Sequence, residues 1–357
     1  MMFTCAPAGP STGHGRPRQA SNGKKTLTVD IHCHCQAQAA SDIVAAATKG
    51  KVPPERHANA LTQQVARQQV ADIKLKMSSV DVRLADMDKM GVDIQAVSPA
   101  PGQFFYWTPP DVGREASMAI NDHLAKIVAD HPDRFVALGA VPLQDADMAT
   151  AELERCVRKL GMRGVEIGTN VDGKELSEKR LDKFFAKAEE LDIVIFMHPS
   201  GFTQPDRFFN HYFTNLIGNP LDTTVAIGHL IFDGVMDRHP GLKICAAHGG
   251  GYAGAYPGRF DHGYHARADC REHIASPPST YLERFYFDTM VFEPDQLAFL
   301  IEKYGSDHIL LGTDYPYDMG HYDPHDLIGR VPDIGDEDRR RIKGLNAARL
   351  LKIPVSG

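Results

Sequence analysis

Short runs of β-branched and apolar residues recur eight times along this chain, separated by stretches with the period of amphipathic helices. REASMAINDHLAKIVADHP, ATAELERCVRKLG and EKRLDKFFAKAEELD, for example, carry apolar residues at i, i+3, i+4 and i+7. Strand and helix alternating in this way predict an α/β protein folded as a (β/α)8 TIM barrel, with an open doubly wound sheet as the alternative. The eight strand-like runs are LTVDIHCHC (27–35), VDIQAVS (92–98), RFVALGAVP (134–142), RGVEIGT (163–169), DIVIFMHP (192–199), LKICAAH (242–248), RFYFDT (284–289) and HILLGTD (308–314).

Two intervals between these runs are too long for a simple crossover. We expect residues 36–90 to form a lid insertion after strand one, and the interval 199–241 to add helices after strand five. The first 25 residues are rich in Gly, Pro, Ser and basic residues and contain no acidic residue, which predicts a disordered arm. Residues 26–357 are then expected to form a single barrel domain.

Composition excludes several classes of function. With 43% hydrophobic residues, a chain of 357 residues can bury a large core. A net charge of -7 argues against a nucleic-acid partner, which needs a basic surface. No apolar run approaches the roughly 20 residues of a membrane span, so no membrane partner is expected and the cytoplasm is the expected location. The six cysteines include no C-x-x-C pair, which predicts reduced thiols.

The stretch DIHCHCQ alternates two histidines with two cysteines, and both residue types bind zinc. Side chains alternate between the faces of a strand, so His32 and His34 share one face while Cys33 and Cys35 share the other. The cysteines are predicted to pack between the strand and helix layers. Asp30 lies on the histidine face, where we expect it to orient a ligand or bond a neighbouring backbone group.

Other strand ends supply matching ligands. His198 follows strand five, His248 follows strand six and Asp314 follows strand eight. Active sites of such barrels assemble at the carboxyl ends of the strands, so these side chains should converge with His32 and His34. Imidazole with one carboxylate suits Zn²⁺ first, and also Mn²⁺, Fe²⁺ or Co²⁺. We therefore predict one divalent ion with an open position, and Glu166 at the end of strand four is expected near it.

Several motifs also resemble the metal-binding amidohydrolase superfamily, in its branch of decarboxylases. These are the H-x-H of strand one, the H-P after strand five, AHGGG after strand six and LGTDYP on strand eight. The resemblance covers roughly residues 29–350. Further matches are VRLADMDKMGVDIQAVS, the Tyr106–Trp107 pair, DRFVALGAVPLQ, LERCVRKLG, GVEIGTNV and the HGGG…GR…HG run.

The resemblance implies a role for each matching residue. His32, His34, His198 and Asp314 would bind the metal, and His248 would be the acid/base residue, with Asp314 also part of the catalytic site. Arg83 would grip a substrate carboxylate.

Four further residues are implied in substrate binding or differ from the family. Arg259 would reach into the neighbouring subunit's site, which implies a homodimer. Trp107 is expected to contact substrate, and so is Asn215. Ser200 and Asn215 stand where the family has an aromatic pair, which changes the pocket's shape and stacking surface.

The resulting prediction is a metal-dependent, non-oxidative decarboxylase, a C–C lyase acting on an aromatic-derived or enol carboxylic acid of small size. The alternative is a hydrolase or hydratase of a related ring-cleavage product, lactone or amide, because one set of residues serves both reactions. A binding or scaffold barrel without activity is a third possibility, although every expected ligand is intact.

Overall fold

A computed structural model describes residues 26–49, 58–202 and 207–355. The predicted arm, residues 1–25, lies outside the described residues. Eight parallel strands follow one another around the sheet in chain order. They are β1 Val29–Cys35, β2 Ile94–Pro99, β3 Phe135–Gly139, β4 Gly164–Ile167, β5 Val194–Met197, β6 Lys243–Ala246, β7 Tyr286–Asp288 and β8 Ile309–Leu310. Seven lie inside the runs predicted from the sequence, and β2 extends one residue beyond its run. A small antiparallel hairpin after β4, Asn170–Val171 with Lys174–Glu175, was not predicted.

Main-chain hydrogen bonds between β1 and the segment that continues from β8 close the sheet. Ile31 N donates to Leu311 O at 2.9 Å, Asp314 N to His32 O at 2.8 Å, and His34 N to Tyr315 O at 2.7 Å. These bonds make the sheet a barrel, so the predicted (β/α)8 architecture is confirmed and the open sheet is not formed.

Helices surround the barrel. In α5, for example, Asp145 caps the first turn by accepting from the N–H groups of Asp147 and Met148, and Ala149, Leu153 and Cys156 form its buried face. The helices are α1 Gln38–Thr48, α2 Ala60–Ser78, α3 Val80–Met90, α4 Pro110–Asp130, α5 Ala146–Arg158, α6 Asp182–Glu190, α7 Asn219–Phe232, α8 Val235–Arg238, α9 Gly251–Ala255, α10 Pro257–Ala266, α11 Pro278–Leu282, α12 Pro294–Tyr304, α13 Pro324–Arg330, α14 Asp336–Arg340 and α15 Asn346–Leu350.

Both long intervals contain the expected extra structure. Helices α1 to α3 occupy the interval after β1, and a π-helix at Thr214–Gly218 precedes α7 and α8 in the interval after β5. The role of the first insertion as a lid stays a prediction. In the described part of the chain, no helix combines the length and the apolar character that crossing a membrane requires.

The cysteines of β1 pack as predicted. Cys33 is 0% exposed and Cys35 is 4% exposed, in an apolar cluster with Met87 of α3 and Ile120 of α4. The Cys33 Sγ donates to Ala96 O and the Cys35 Sγ to Met77 O, each at 3.4 Å. These thiols therefore belong to the layer between strands and helices.

Arg83 lies in a different place from the one that the family resemblance implied. Its side chain is buried, and its guanidinium donates to the main-chain oxygens of His34 and Lys76 and, at 3.1 Å, to Gln95 Oε1. The guanidinium carbon also lies 4.8 Å from the centre of the Tyr315 ring. All these partners belong to the protein, so Arg83 has a structural role here, and its contact with a substrate carboxylate stays a prediction.

Gln95 extends this contact to the closed edge of the barrel. Its Nε2 donates to Asp30 Oδ2 at 3.0 Å, and Asp30 also accepts from Thr313 N at 3.1 Å and from the Thr313 hydroxyl at 2.7 Å. His32 N is a further donor to Asp30, at 3.1 Å. Asp30 thus bonds neighbouring backbone as expected, and Arg83 supports the ends of the strands that carry the site.

The position of Arg83 predicts a loss of stability on substitution. Arg83→Met keeps most of the side-chain volume but leaves buried carbonyl groups without a donor, which should lower the free energy of unfolding by about 3 kcal/mol. The urea midpoint of unfolding, followed by circular dichroism, measures this change.

Arg158→Met is the matched control, because Arg158 lies on the surface of α5 with its side chain 57% exposed. The free energy of unfolding of Arg158→Met should differ from that of the wild type by no more than about 0.5 kcal/mol. An Arg83→Met protein as stable as the control would show that these hydrogen bonds do not stabilise the fold.

Candidate metal centre and active site

Four side chains meet where β1, β5 and β8 end. His32 Nε2 lies 3.2 Å from His34 Nε2 and 3.3 Å from Asp314 Oδ1, and His34 Nε2 lies 3.2 Å from the same oxygen. The His198 ring centre is 4.9 Å from that of His32 and 4.8 Å from that of His34. One ligand atom from each residue can be chosen so that all four lie within 4.8 Å of one another.

The cluster fits a divalent cation. Both ring nitrogens of His198 and the Oδ1 of Asp314 are buried without a hydrogen-bond partner, although buried polar groups are nearly always paired. Three imidazoles and one carboxylate form a ligand set suited to zinc and similar ions. His32, His34, His198 and Asp314 could therefore bind a metal.

The outer nitrogens of two ligands are held by the protein. His32 Nδ1 lies 2.6 Å from Asp288 Oδ2, and His34 Nδ1 lies 3.1 Å from Pro99 O. These contacts leave both Nε2 atoms directed at the shared centre. A carboxylate behind a ligating imidazole fixes the ring and raises its basicity as a ligand.

Sequence reasoning missed Asp288. It ends β7, and its Oδ1 accepts from Gly249 N at 2.8 Å and from Met290 N at 3.1 Å. The signal was available, because Asp288 stands at the end of the run RFYFDT just as the ligands stand at the ends of theirs.

Burial and neighbouring charge set the pKa values in the cluster. Burial alone would lower the pKa of His32, but the carboxylates of Asp314 and Asp288 raise it to about 10. Burial, with the neighbouring imidazoles His34, His32 and His248, holds the pKa of His198 well below its usual range. For Asp314, burial opposes ionisation, but the imidazoles of His32, His34 and His248 hold the pKa well below its usual range.

His248 lies beside the four ligands. Its Nε2 is 3.7 Å from Asp314 Oδ2, and its ring centre is 4.9 Å from that of His198. The buried Nδ1 has no hydrogen-bond partner, while the side chain keeps 17% exposure. His248 and Asp314 both adopt positive φ values, 56° and 54°. Such backbone is uncommon outside glycine and is concentrated at functional sites.

Glu166 brings a second carboxylate close to the cluster. It lies in β4, one residue before the strand ends, at 0% exposure. Its two carboxylate oxygens have no hydrogen-bond partner, and Oε1 lies 3.8 Å from His34 Nδ1. Burial raises the pKa of Glu166 to about 7. The expectation that this residue lies near the site is confirmed.

Trp107, Asn215 and Arg259 are the remaining residues that were predicted to bind substrate. Trp107 is partly buried against the apolar cluster that includes Cys33, and Asn215 lies in the π-helix, with its N–H donating to Tyr212 O at 2.9 Å. Arg259 is exposed on α10. Their roles in substrate binding stay predictions.

Named proteins with related sequences support the resemblance seen in the motifs. The chain is 36% identical over 272 residues to 2-amino-3-carboxymuconate-6-semialdehyde decarboxylase of Dictyostelium discoideum, which covers 76% of each chain. It is 30% identical over 300 residues to the gamma-resorcylate decarboxylase of Rhodococcus jostii (strain RHA1), covering 76% of this chain and 87% of that one.

A solved structure and a family profile extend the comparison over the barrel. The 5-carboxyvanillate decarboxylase LigW from Sphingomonas paucimobilis has a TM-score of 0.81 and 25% identity, over 92% of this chain and 100% of that one. The amidohydrolase family profile matches residues 29–353, which include all eight strands and every candidate ligand. The chain therefore belongs to the amidohydrolase family.

Proposed function

We propose that this protein is a metal-dependent, non-oxidative decarboxylase, a carboxy-lyase acting on a small aromatic-derived or enol carboxylic acid. The observation that carries the proposal is the buried group of His32, His34, His198 and Asp314 with His248 beside it. The decarboxylase names of the relatives and of the structural neighbour support this reaction over a hydrolysis.

The four ligands would hold one divalent ion, for which we propose zinc first and manganese, iron or cobalt as alternatives. When bound, such an ion polarises a substrate oxygen and lowers the pKa of water. Asp288 orients His32 through the 2.6 Å contact between Oδ2 and Nδ1, so the ligand ring cannot rotate away from the centre.

The reaction requires a proton at the substrate carbon. As the bond to the carboxyl group breaks, CO₂ leaves and the electron pair stays on that carbon, which must take a proton. We propose that His248 holds or moves this proton, because its Nε2 lies 3.7 Å from Asp314 Oδ2 and its side chain keeps 17% exposure. Asp314 serves as a ligand and also sets the charge beside His248.

The first prediction from this proposal is metal-dependent release of CO₂. Protein loaded with one divalent ion per chain should release CO₂ from at least one acid in a set of hydroxybenzoates and ring-cleavage acids. Chelation should abolish the release, and returning the metal should restore it. Hydrolysis or hydration products without CO₂ would instead establish the alternative reaction.

Variants of β1 and of Asp314 test the ligand assignment. His32→Ala and Asp314→Ala should each lose the metal and the activity, because neighbouring groups cannot replace the missing ligand. Cys33→Ser is the control, since the Cys33 thiol packs in the helix layer, and its metal content should match the wild type. Stoichiometric metal in His32→Ala would refute the assignment.

His248 is expected to act in proton transfer and not as a ligand. His248→Ala should retain most of the metal while kcat falls by about 10² to 10⁴, the usual contribution of a positioned acid or base. His229→Ala is the control, because His229 pairs with Asp233 on the half-exposed face of α7. Wild-type turnover in metal-loaded His248→Ala would remove His248 from the mechanism, and loss of metal would make it a ligand.

We also propose a homodimer in which Arg259 completes the partner's active site. Arg259 is exposed on α10, and its guanidinium has no ion pair or hydrogen bond with any described residue. Tyr256, 64% exposed, and Tyr252, 40% exposed, precede it on the chain. Exposed tyrosines and arginines are enriched at protein interfaces, and a guanidinium binds a carboxylate through two parallel hydrogen bonds.

Complementation between two inactive variants tests the dimer. Arg259→Ala and His248→Ala should each be nearly inactive, yet mixed subunits should recover activity. A heterodimer contains one site that has His248 on its own chain and an intact Arg259 from the partner. Tagged chains confirm the exchange. Heterodimers as inactive as their parents would show that Arg259 does not act across the interface.

A further inference from the structure

Asp30 lies in β1, two residues before the first candidate ligand, and its carboxylate is 0% exposed. Its Oδ1 accepts from His32 N and from Thr313 N, each at 3.1 Å. Its Oδ2 accepts from the Thr313 hydroxyl at 2.7 Å and from Gln95 Nε2 at 3.0 Å. A carboxylate offers about four lone-pair sites, so donors of the protein saturate this side chain. Asp30 therefore has no free site for a metal or a substrate, and it can act only through the groups that it holds.

Two of these donors are main-chain groups of the segments that carry candidate metal ligands. His32 is itself a candidate ligand, and Thr313 directly precedes another, Asp314. The carboxylate of Asp30 thus bonds both sides of the closed edge of the barrel. Next to it, Asp314 N donates to His32 O at 2.8 Å. Because His32 Nε2 and Asp314 Oδ1 lie only 3.3 Å apart, a small shift of either segment would change the separation of these two ligand atoms.

The pairing of β1 with β2 is irregular at this point. Asp30 pairs with Gln95 and Cys33 pairs with Val97, so β1 contains one residue more than β2 over the same length. An extra residue of this kind bends a strand and re-aims a side chain, and it is common next to active sites. An aspartate side chain can stabilise irregular backbone by accepting from the N–H two residues later. The contact from His32 N to Asp30 has this spacing, so Asp30 supports the irregular backbone that presents His32.

The direction of the hydrogen bonds around Asp30 is fixed by groups that can only donate. Arg83 has no acceptor, so Gln95 must turn its Oε1 towards the guanidinium, at 3.1 Å, and its Nε2 towards Asp30. On the other side, Tyr315 N donates to the Thr313 hydroxyl oxygen at 3.2 Å, and that hydroxyl donates in turn to Asp30. Both chains of hydrogen bonds end at Asp30. A side chain with an N–H donor of its own therefore cannot replace this carboxylate.

We propose that Asp30 is a positioning residue of the metal centre, which sets the separation of His32 and Asp314 through their backbones and thereby the affinity for a divalent ion. This role differs from that of Asp288, which contacts the ring of His32. The inference rests on the proposed metal-dependent function and adds to it a residue that touches neither metal nor substrate.

Asp30→Asn tests this role with almost no change in side-chain size. The amide keeps one acceptor oxygen but turns an NH₂ group towards a donor, so the two ligand segments should move apart. The dissociation constant for Zn²⁺, measured on metal-free protein by competition with a chelator of known affinity, should rise about 10- to 100-fold. The visible d–d absorption of the Co²⁺-loaded variant should also differ from that of the wild type, because this absorption reports ligand geometry.

Asp93→Asn is the matched control. The Asp93 Oδ2 accepts from Thr28 N at 3.0 Å, just before β1 begins, so this variant also alters a contact between a carboxylate and the backbone near the strand. Its Zn²⁺ affinity should stay within about twofold of the wild type, with an unchanged Co²⁺ spectrum. Wild-type affinity in Asp30→Asn, or an equal loss of affinity in both variants, would overturn the proposal.

A second substitution tests the direction of the hydrogen bonds. In the double variant Asp30→Asn/Gln95→Glu, the carboxylate at position 95 can accept both from Arg83 and from the amide at position 30. This variant should bind Zn²⁺ at least about fivefold more tightly than Asp30→Asn does. A double variant that binds no more tightly than Asp30→Asn would show that these hydrogen bonds do not set the affinity, which contradicts the proposal.

The urea midpoint of each metal-free variant shows whether it folds. If Asp30→Asn does not fold, Thr313→Val decides, because it removes one donor to Asp30 and keeps the branched shape of the side chain. Its Zn²⁺ affinity should fall about three- to tenfold, as expected for one lost hydrogen bond to a charged group. Wild-type affinity in Thr313→Val would then exclude the proposed role.

A CO₂ assay on the same proteins separates this inference from the function on which it rests. Suppose that the wild type binds Zn²⁺ but releases CO₂ from no acid, while Asp30→Asn binds Zn²⁺ weakly. That result would refute the decarboxylase proposal and leave the role of Asp30 intact. Release of CO₂ by the wild type, together with equal Zn²⁺ affinity in Asp30→Asn, would refute the role of Asp30 and leave the reaction intact.

Discussion

The backbone contact between β1 and the segment after β8 is the constraint on which the site depends. Asp314 N donates to His32 O at 2.8 Å, and this bond brings the carboxylate from one end of the chain against two histidines from the other. Taking imidazoles and a carboxylate out of water is costly unless other charges compensate. A divalent cation at the centre would supply that compensation, and it would account for the burial of the His198 ring nitrogens and Asp314 Oδ1 without hydrogen-bond partners.

The protein groups that contact the outer ring nitrogens of the two candidate histidine ligands of β1 differ in charge. His32 contacts a carboxylate, Asp288, whereas His34 contacts a main-chain carbonyl, Pro99 O. Asp30 binds Thr313 and the His32 backbone, and Gln95 links Asp30 to Arg83. A continuous set of buried hydrogen bonds therefore joins the closed edge of the barrel to α3, so the geometry of the metal ligands depends on helix packing as well as on the strands.

Much of the fold and of the candidate site could be predicted, because the relevant signals are local. The apolar runs predict all eight strands. The last strand, β8, is only Ile309–Leu310, because the segment after it continues the barrel through main-chain hydrogen bonds to β1 without regular strand pairing. Arg83 could not be predicted. A motif fixes the position of the residue along α3 but not whether its long side chain turns towards the mouth or towards the strand layer. Asp288 was missed although it ends a predicted strand.

The sequence determined the alternation of strands and helices, the candidate ligands at the strand ends and the separation of histidines from thiols on β1. These depend on side-chain period and on the place of each residue within its own strand. The tertiary structure decided which nitrogens face the centre, that Asp288 supports His32 and that Arg83 is buried. Each of these depends on contacts between residues far apart in the chain, and no local pattern specifies the distance or direction of such a contact.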